Sequence, residues 1–282
     1  MKYAGIVGHP VAHSLSPVFQ GAAFRESGLD VRYERWDTEP ESLAARILNL
    51  RHPDCLGANV TIPYKEAVFP LVDELGGQSA RVGAVNTIVN RGGRLYGFNT
   101  DGPGFVQALR RERGFDVAGR SMLLLGAGGA ARGIGFALAD ANAGRIAISN
   151  RTQSRAAQLA RDIAAAGAEC VSEPNAASRE YDCIVNCTSI GMHGGPAPGE
   201  SPLDVERLPG APLIVDIVYA PEETPLLAQA RRRGLRTLGG LPMLVFQGAL
   251  AFELWTGAPA PTETMFDALR RELANREAAI AT

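Results

Sequence analysis

The stretch Gly126-Ala-Gly-Gly-Ala-Ala131 lies directly after the apolar run Ser121–Leu125 and directly before a long segment of small residues. Glycines at such a position let a strand turn tightly into a helix, whose free N–H groups and positive dipole end can face a pyrophosphate. The motif alone is also compatible with simple strand-to-helix packing, so its context decides between the two. The residues predicted to contact a dinucleotide here are Gly126, Ala127, Gly128, Gly129 and Ala130.

The segments around this turn complete a strand–helix–strand unit. Small and apolar residues predict a helix over 130–143 that ends at Gly144. The alternating stretch Arg145–Ser149 then predicts a second strand. The unit has the length expected of a dinucleotide-binding fold, which favours the phosphate-binding interpretation of the glycines.

The residues after this second strand indicate which dinucleotide binds. In such folds an acidic residue at this point holds the ribose hydroxyls of NAD, whereas arginine accommodates the 2′-phosphate of NADP. Here the strand is followed by Asn150, Arg151 and Thr152, with Arg155 one helical turn later and no acidic residue. These four residues therefore predict an NADP site. The alternative is that Thr152 caps the next helix while the two arginines are merely solvated.

Length and composition are typical of an intracellular enzyme. The chain has 282 residues, which suggests about two domains. Its net charge of -2 favours neither nucleic acid nor membrane partners, and 46% hydrophobic residues is ordinary for a globular protein. The sequence contains no signal-peptide pattern and no stretch long enough to span a membrane, so we expect a cytoplasmic protein.

Cysteine and histidine spacing argues against a metal or disulfide framework. Four cysteines, at positions 55, 170, 183 and 187, lack the paired spacing of a zinc site or redox dithiol. We expect them to be buried free thiols. His9 and His13 are four residues apart, but Pro10 and Pro17 disfavour a helix across them. No metal is predicted.

Strands and helices alternate along most of the chain, which predicts an α/β fold with largely parallel sheets. The predicted strands lie at 3–8, 31–36, 57–61, 121–125, 145–149, 182–187, 213–218 and 235–238. The predicted helices lie at 17–27, 41–51, 102–113, 130–143, 243–255 and 263–279. Ser16 and Pro17 are predicted as the N-cap and first residue of the earliest helix.

Polar residues gather at the turns of the first part of the chain. They occur in Ser14-Leu-Ser-Pro17, Asn59-Val-Thr-Ile-Pro-Tyr-Lys65, Gly83-Ala-Val-Asn-Thr87 and Asn99-Thr-Asp-Gly102. Asn and Asp beside Gly are common turn formers, so each segment taken separately is compatible with a purely structural role.

Taken together and in order, these segments strongly resemble the shikimate dehydrogenase family. The resemblance extends through Gly126-Ala-Gly-Gly-Ala130, Asn150-Arg-Thr152, Asn186-Cys-Thr-Ser189 and Gln247, and so covers nearly the whole chain. It implies a substrate-binding α/β domain at 1–103 and a Rossmann-type NADP-binding domain at 104–240. It also implies that helices at 241–282 return to the substrate domain.

The family resemblance implies reversible reduction of 3-dehydroshikimate to shikimate with NADPH, a step in aromatic amino acid biosynthesis. Hydride transfer to a ketone leaves negative charge on oxygen, which a cation or proton donor stabilises. Lys65 and Asp101 are the predicted catalytic pair. The predicted substrate-binding residues are Ser14, Ser16, Asn59, Thr61, Asn86, Tyr219 and Gln247. The resemblance adds Thr188, Ser189, Ile217, Gly240 and Met243 to the predicted cofactor site, although Ile217 is also compatible with a core role.

One departure from the family pattern keeps related functions open. The family commonly has glycine where this chain has Pro242, predicted as the first residue of the helix that carries Gln247. A proline there removes an N–H beside the predicted nicotinamide site. Alternatives are a dehydrogenase of quinate or another shikimate-like acid, or a non-catalytic NADP-binding regulator. We expect a small-molecule substrate and a monomer or homodimer.

Overall fold

A computed structural model describes residues 1–175 and 179–280 of the chain. The chain divides into two compact units. Unit 1 combines Met1–Thr100 with the chain from Val245 onward, and unit 2 comprises Asp101–Leu244. Each unit is an α/β structure built on its own sheet, so the predicted α/β fold class is confirmed.

Unit 1 begins with a parallel strand–helix–strand arrangement. Its strands are β1 (Lys2–Gly8), β2 (Val31–Asp37), β3 (Cys55–Val60), β4 (Glu74–Leu75), β5 (Thr87–Arg91) and β6 (Arg94–Phe98). The helices between them are α1 (Ser16–Glu26), α2 (Leu43–Asn49) and α3 (Ser79–Val82). The predicted helix over 41–51 is in fact a 3₁₀ turn, Pro40–Ser42, followed by α2.

The sheet of unit 1 is mixed: the three strands predicted from the sequence are parallel to one another as expected, and the antiparallel pairings come from β5 and β6, which were not predicted. The strand order is β2-β1-β3-β5-β6-β4. Strand β1 is parallel to β2 and β3, but β5 is antiparallel to both β3 and β6. Strands β5 and β6 pair antiparallel because only two residues, Gly92 and Gly93, connect them. Their φ values are 60° and 86°. Two residues can join only antiparallel neighbours, and positive φ at both is the hairpin geometry that glycine favours.

The helices at the end of the chain pack within unit 1. These are α8 (Leu241–Thr256), which begins in unit 2 and continues into unit 1, and α9 (Thr262–Ile280), which contacts α1. The indole of Trp255 donates to the Ile88 carbonyl of β5 at 2.9 Å, and Gln20 donates to the Gly248 carbonyl at 2.8 Å. A side chain at Gly248 would clash with the ring of Phe19, at 2.3 Å. Helix α8 therefore approaches α1 very closely.

Unit 2 is a doubly wound parallel sheet. Its helices are α4 (Asp101–Arg113), α5 (Gly129–Asp140), α6 (Gln153–Ala164) and α7 (Pro225–Arg232). Its strands are β7 (Ser121–Leu125), β8 (Arg145–Ser149), β9 (Cys170–Ser172), β10 (Cys183–Asn186), β11 (Leu213–Asp216) and β12 (Thr237–Leu238). Helix α5 ends three residues before the predicted end at 143, because Asn142 adopts the left-handed conformation with φ of 57°.

The strand order of unit 2 locates the edge at which ligands bind in such folds. The order is β12-β11-β10-β7-β8-β9, with every pairing parallel. The chain runs outward from β7 in one direction and then from β10 in the other, so the order reverses between these two strands. Open α/β sheets bind ligands beyond the carboxyl ends of strands at such a reversal. The residues that follow Leu125 and Asn186 occupy this position.

Among the residues that the structure describes, no helix combines the length and the apolar character that crossing a bilayer requires.

Unit 1 contains an ion pair whose contribution to stability depends on pH. Arg51 donates to both oxygens of Asp73, at 2.6 and 3.0 Å, and the Leu95 amide donates at 2.7 Å. Arg51, followed by Leu95, lowers the pKa of Asp73 from 3.8 to about 2. Because the folded pKa is depressed, the stabilisation is complete above pH about 4 and disappears as pH falls through about 2.

We therefore expect Asp73→Asn to lower the free energy of unfolding most above pH 4, with the difference from wild type shrinking towards pH 2. Urea denaturation at a series of pH values measures this difference. Asp54→Asn, which removes an exposed carboxylate of the same unit, controls for the change in net charge. A difference between wild type and Asp73→Asn that grows as the pH falls would contradict the assignment.

Candidate active site

The glycine turn after β7 depends on Gly126. Its φ is 112°, a conformation that other residues rarely adopt, and its amide donates to the Ser149 carbonyl at 2.7 Å. A Cβ added here would lie 3.1 Å from Cγ2 of Thr188 and 3.3 Å from the Cys187 carbonyl oxygen. Gly126 therefore permits the close approach of the segments that follow β7 and β10.

The next two glycines have a different role, because their surroundings are open. Gly128 is the N-cap residue of α5 and Gly129 its first residue, and both are exposed. Apart from the adjoining residues and the backbone of the helix itself, no heavy atom of the described residues lies within 4 Å of a Cβ built at either glycine. The first N–H groups of a helix have no intrahelical partners and carry its positive dipole end. The turn thus has the free donors and the space that a pyrophosphate requires, and the residues fit a dinucleotide.

The residues after β8 form an exposed basic group. Arg151, Thr152 and Arg155 are all exposed, and Asn150 donates to the Thr152 carbonyl at 2.9 Å. Thr152 occupies the N-cap position of α6, but within the described residues its side chain makes no capping hydrogen bond. Thr152 and the two exposed arginines thus stand where the structural alternative also puts them, but the hydroxyl is not used as a cap, and phosphate binding stays a prediction. A hydroxyl and two guanidiniums together form the kind of surface that binds a phosphate.

Of three further predicted cofactor residues, Ile217 follows β11, Gly240 follows β12 and Met243 lies in the first turn of α8. The amide of Ile217 donates to the Asn186 carbonyl, and the amide of Gly240 donates to the Val218 carbonyl, each at 3.2 Å. A Cβ at Gly240 would lie 2.3 Å from the carbonyl oxygen of Ile217, so glycine lets these two segments touch. Ile217 and Met243 are both half-buried. They retain surface for a ligand while remaining fixed to the sheet.

The loop that precedes α1 differs from the prediction. Leu15, not Ser16, is the N-cap residue of this helix, and Ser16 is its first residue. The hydroxyl of Ser14 accepts from the Ser16 amide at 3.2 Å, while the Ser14 carbonyl accepts from Arg35 at 2.8 Å. The N-cap assignment is wrong because Ser14, two residues earlier, satisfies the first free amide of the helix.

Asn59 and Asn86 belong to a buried hydrogen-bond network at the carboxyl end of β3. Asn59 donates to the Thr87 hydroxyl at 3.2 Å, and that hydroxyl donates to Oδ1 of Asn86 at 3.0 Å. The Asn86 oxygen also accepts from the Thr100 amide at 2.8 Å. Asn59 and Asn86 are only 4% and 2% exposed. The network fixes their orientation, because buried polar groups left unpaired are costly.

Tyr33 is bonded to residues predicted to bind substrate, although the sequence did not predict it as part of the site. Its hydroxyl donates to Oδ1 of Asn59 at 2.7 Å. Burial raises the pKa of Tyr33 well above its ordinary value, and a hydrogen bond with the Ser16 side chain partly opposes this shift. Tyr33 thus connects two residues predicted to bind substrate. Its place in the alternating strand Val31–Asp37 gave no functional signal, since a tyrosine there is also typical of any half-buried strand.

Thr61 and Lys65 are held by their backbones. The Thr61 amide donates to the Val7 carbonyl at 2.9 Å, and the Lys65 carbonyl accepts from the Val85 amide at 2.8 Å. The Lys65 side chain is half-buried. Lys65 and Lys2 are also the only lysines in a chain with 28 lysines and arginines. A lysine at position 65 is therefore unusual in this arginine-rich protein.

The two units share the predicted site residues between them. Unit 1 contains Ser14, Ser16, Asn59, Thr61, Lys65, Asn86 and Gln247. Unit 2 contains the predicted cofactor residues together with Tyr219 and Asp101, the first residue of α4. The pairing of Lys65 with Asp101 therefore stays a prediction. Among residues 1–175 and 179–280, no group of three or more His, Cys, Asp or Glu side chains could hold a metal ion.

Comparisons with known proteins place this geometry in a family. Residues 6–88 match the shikimate dehydrogenase substrate binding domain, residues 108–193 the shikimate/quinate 5-dehydrogenase family, and residues 240–270 the shikimate 5′-dehydrogenase C-terminal domain. The chain is 45% identical to a shikimate dehydrogenase (NADP(+)) of Geobacillus kaustophilus, over 96% of this chain and 99% of that protein. This chain belongs to the shikimate dehydrogenase family. The resemblance seen in the sequence is confirmed.

Two further relatives of the shikimate dehydrogenase family agree with this assignment. A shikimate dehydrogenase (NADP(+)) of Moorella thermoacetica is 46% identical, over 95% of this chain and 92% of the relative. The crystal structure of shikimate 5-dehydrogenase from Thermus thermophilus in complex with NADP(H) and shikimate has a TM-score of 0.88 and 42% identity. The match covers 96% of this chain and 99% of the Thermus chain.

The proline that departs from the pattern of the shikimate dehydrogenase family is accommodated in the helix. Pro242 is the second residue of α8, not the first as predicted, and is half-buried. The amide of Leu244 still donates to the Gly240 carbonyl at 3.1 Å. In the first turn of a helix the missing N–H of proline breaks no intrahelical bond. Pro242 is therefore compatible with an uninterrupted α8.

Gly126 and Gly129 should respond oppositely to alanine. Gly126→Ala should lower the free energy of unfolding by about 1–3 kcal/mol, because its φ of 112° is strained for alanine. Gly129→Ala should leave stability unchanged or raise it by up to about 1 kcal/mol, since alanine fits the helical backbone and an open space. Urea unfolding of the two variants measures both effects. Equal losses of stability would refute this division of roles.

Proposed function

We propose that this protein is an NADP-dependent shikimate dehydrogenase that reversibly reduces 3-dehydroshikimate to shikimate. The observation that carries the proposal is the combination, in unit 1, of Lys65 with a polar lining of hydroxyl and amide side chains. Shikimate is a ring acid with several hydroxyl groups, and such a ligand needs this lining because unpaired buried polar groups cost about 1–3 kcal/mol each. The names of the relatives support the same substrate.

In this proposal, the residues of unit 1 bind and orient the substrate. The hydroxyls of Ser14, Ser16 and Thr61 and the amides of Asn59, Asn86 and Gln247 would bind its hydroxyl and carboxylate groups. Tyr33 would hold Asn59 in place through the hydrogen bond at 2.7 Å. Because Asn59 and Asn86 are already fixed by the buried network, they would lose little side-chain entropy on binding.

Lys65 would stabilise the developing oxygen charge and exchange a proton with it. NADPH, when bound, supplies the hydride that a ketone needs to become an alcohol. The ammonium of Lys65 can donate a proton to the substrate oxygen, which an arginine guanidinium does not do because it remains protonated. This role would account for a lysine here in a chain whose other basic residues, Lys2 apart, are arginines. Asp101 would orient the ammonium or bind a substrate hydroxyl.

The residues of unit 2 would hold the cofactor. The open turn at Gly128 and Gly129 would bind the pyrophosphate, and Arg151, Thr152 and Arg155 the 2′-phosphate. The segments after β10, β11 and β12 would contact the nicotinamide half through Thr188, Ser189, Ile217, Gly240 and Met243. Tyr219, which follows β11 and is half-buried, would reach the substrate from this side.

A second candidate function rests on Pro242. The alternative substrate is quinate or another shikimate-like acid, because the ring of Pro242 lies beside the segment proposed to contact the nicotinamide. A regulator that binds NADP without turnover is the alternative from another class, and it does not account for Lys65. The main proposal further implies a cytoplasmic monomer or homodimer that acts on small molecules.

Replacing Lys65 tests the catalytic role directly. Lys65→Ala should lower kcat for shikimate oxidation by roughly 10²- to 10⁴-fold, the usual contribution of general acid–base catalysis. The affinity for NADPH should stay nearly unchanged. Steady-state absorbance measurements of NADPH formation and NADPH titration measure the two quantities. Lys2→Ala is the matched control and should retain wild-type turnover.

Because the chain has only two lysines, chemical modification gives a second, independent test of the role of Lys65. An amine-selective reagent followed by peptide mass spectrometry reports Lys2 and Lys65 separately in one sample. Shikimate should slow modification of Lys65 and leave Lys2 unaffected. Equal modification rates at Lys65 with and without shikimate, or unchanged turnover in Lys65→Ala, would exclude it from the reaction.

Replacing Arg151 tests the choice of cofactor. Arg151→Ala should lower the ratio of kcat/KM for NADP⁺ to that for NAD⁺ by roughly 10- to 100-fold, because hydrogen bonds to a charged group contribute about 1.5–3 kcal/mol. Arg161→Ala, which removes another exposed arginine of α6, should leave the ratio unchanged. If Arg151→Ala also leaves it unchanged, the phosphate binds elsewhere.

A further inference from the structure

Asp216 is a fully buried carboxylate at the last position of β11, a strand that lies between β10 and β12. The side chain accepts three hydrogen bonds. The Thr224 hydroxyl donates to Oδ2 at 2.7 Å, while Nδ2 of Asn186 and the amide of Val218 each donate to Oδ1 at 3.0 Å. All three partners face the carboxylate as donors, which is the environment that an ionised oxygen prefers.

Through these bonds Asp216 connects three segments of unit 2. Asn186, which is also fully buried, accepts from the amide and the hydroxyl of Thr188 at 3.0 and 2.7 Å. The bond to Val218 holds the segment after β11. The bond to Thr224 reaches the N-cap of α7, where the same hydroxyl accepts from the Leu227 amide at 3.3 Å. One carboxylate therefore orders the segments that follow both β10 and β11.

The fold alone does not require a charged group at this position. Burial raises the pKa of Asp216, and the bonds from Thr224, Val218 and Asn186 only partly oppose that shift. Burying a carboxylate is costly for a fold unless hydrogen bonds compensate it. The preceding residues Leu213–Val215 are all apolar and buried. Asp216 thus stands at the end of an otherwise apolar buried strand, where it provides directional hydrogen bonding to several segments at once.

We propose that Asp216 is a positioning residue for the reaction. It holds the Thr188–Ser189 and Ile217–Tyr219 segments in the arrangement that presents the nicotinamide half of the cofactor, and its role is separate from binding of the adenosine half. This inference rests on the proposed function, because those two segments are assigned there to the nicotinamide and the substrate. The three hydrogen bonds of Asp216 go to neither Gly129 nor Arg151, so binding of the adenosine half serves as an internal reference.

The expected effect follows from geometry. In Asp216→Asn the carboxamide oxygen can still accept from Asn186 and Val218, while its NH₂ group faces the Thr224 hydroxyl, which loses its acceptor. The variant should therefore fold, with the α7 N-cap and the two segments slightly displaced. Misplacement of reacting groups by about 1 Å can cost roughly 10²-fold in rate.

The experiment compares catalysis with binding of 2′,5′-ADP, which carries the adenosine half and the 2′-phosphate but no nicotinamide. Asp216→Asn should lower kcat for shikimate oxidation by about 10- to 100-fold, with the Kd for 2′,5′-ADP unchanged. The emission maximum of bound NADPH should also shift, because the nicotinamide reports its own surroundings. Thr224→Val, which removes the donor to Oδ2 together with the acceptor of the Leu227 amide, should lower kcat in the same direction, and Thr224→Ser, which keeps both bonds, should restore it.

Asp182→Asn is the matched control at the opposite end of the sheet. Asp182 also accepts three hydrogen bonds, from the amide and hydroxyl of Ser121 at 2.8 Å and from Arg120 at 3.1 Å. Its loss should lower stability and leave kcat unchanged. Such a result would show that the loss of a carboxylate acceptor in this sheet does not by itself impair turnover.

The possible outcomes separate the inference from the function on which it rests. Wild-type protein that neither binds 2′,5′-ADP nor oxidises shikimate would overturn the proposed function. Wild-type activity together with an unchanged kcat in Asp216→Asn and Thr224→Val would overturn the positioning role. A fall in kcat accompanied by an equal loss of 2′,5′-ADP affinity in both variants would overturn it as well, because the defect would then be general.

Discussion

The requirement that buried polar groups find partners organises the strand ends in both units of this protein. Asn59, Asn86 and Thr100 satisfy one another at the carboxyl end of β3, and Asn186 and Asp216 do so after β10 and β11. Each unpaired member would cost about 1–3 kcal/mol. The networks therefore specify one arrangement of the surrounding segments, on which the proposed binding surfaces depend.

These networks divide the site into residues that position and residues that contact. Asn186 and Asp216 are buried and engaged with the protein, whereas Gly128, Gly129 and Arg151 are exposed and keep donors or space for a ligand. A buried network loses its conformational entropy during folding. The exposed groups can then bind a phosphate without rearrangement of the sheet beneath them. Binding sites commonly have such buried residues that hold the ligand-contacting residues in place.

Much of unit 2 could be predicted from the sequence, because its signals are local. The strands Ser121–Leu125 and Arg145–Ser149 begin and end at the predicted residues. Unit 1 was harder. The hairpin around Gly92 and Gly93 was not predicted, although two glycines between β-rich runs are a strong hairpin signal, and so the antiparallel strands β5 and β6 were missed. The N-cap at Ser16 was wrong because the helix begins one residue earlier than predicted, and the Ser16 amide donates to the Ser14 hydroxyl.

The sequence by itself determined the α/β fold class, the glycine turn after β7, the basic group after β8 and membership of the shikimate dehydrogenase family. Each of these is encoded by neighbouring residues or by the order of short motifs. The tertiary structure alone decided that Tyr33 supports Asn59, that Gly126 and Gly129 serve different purposes, and that Asp216 connects three segments. These relations join residues far apart in the chain, and only the order of the strands brings such residues together.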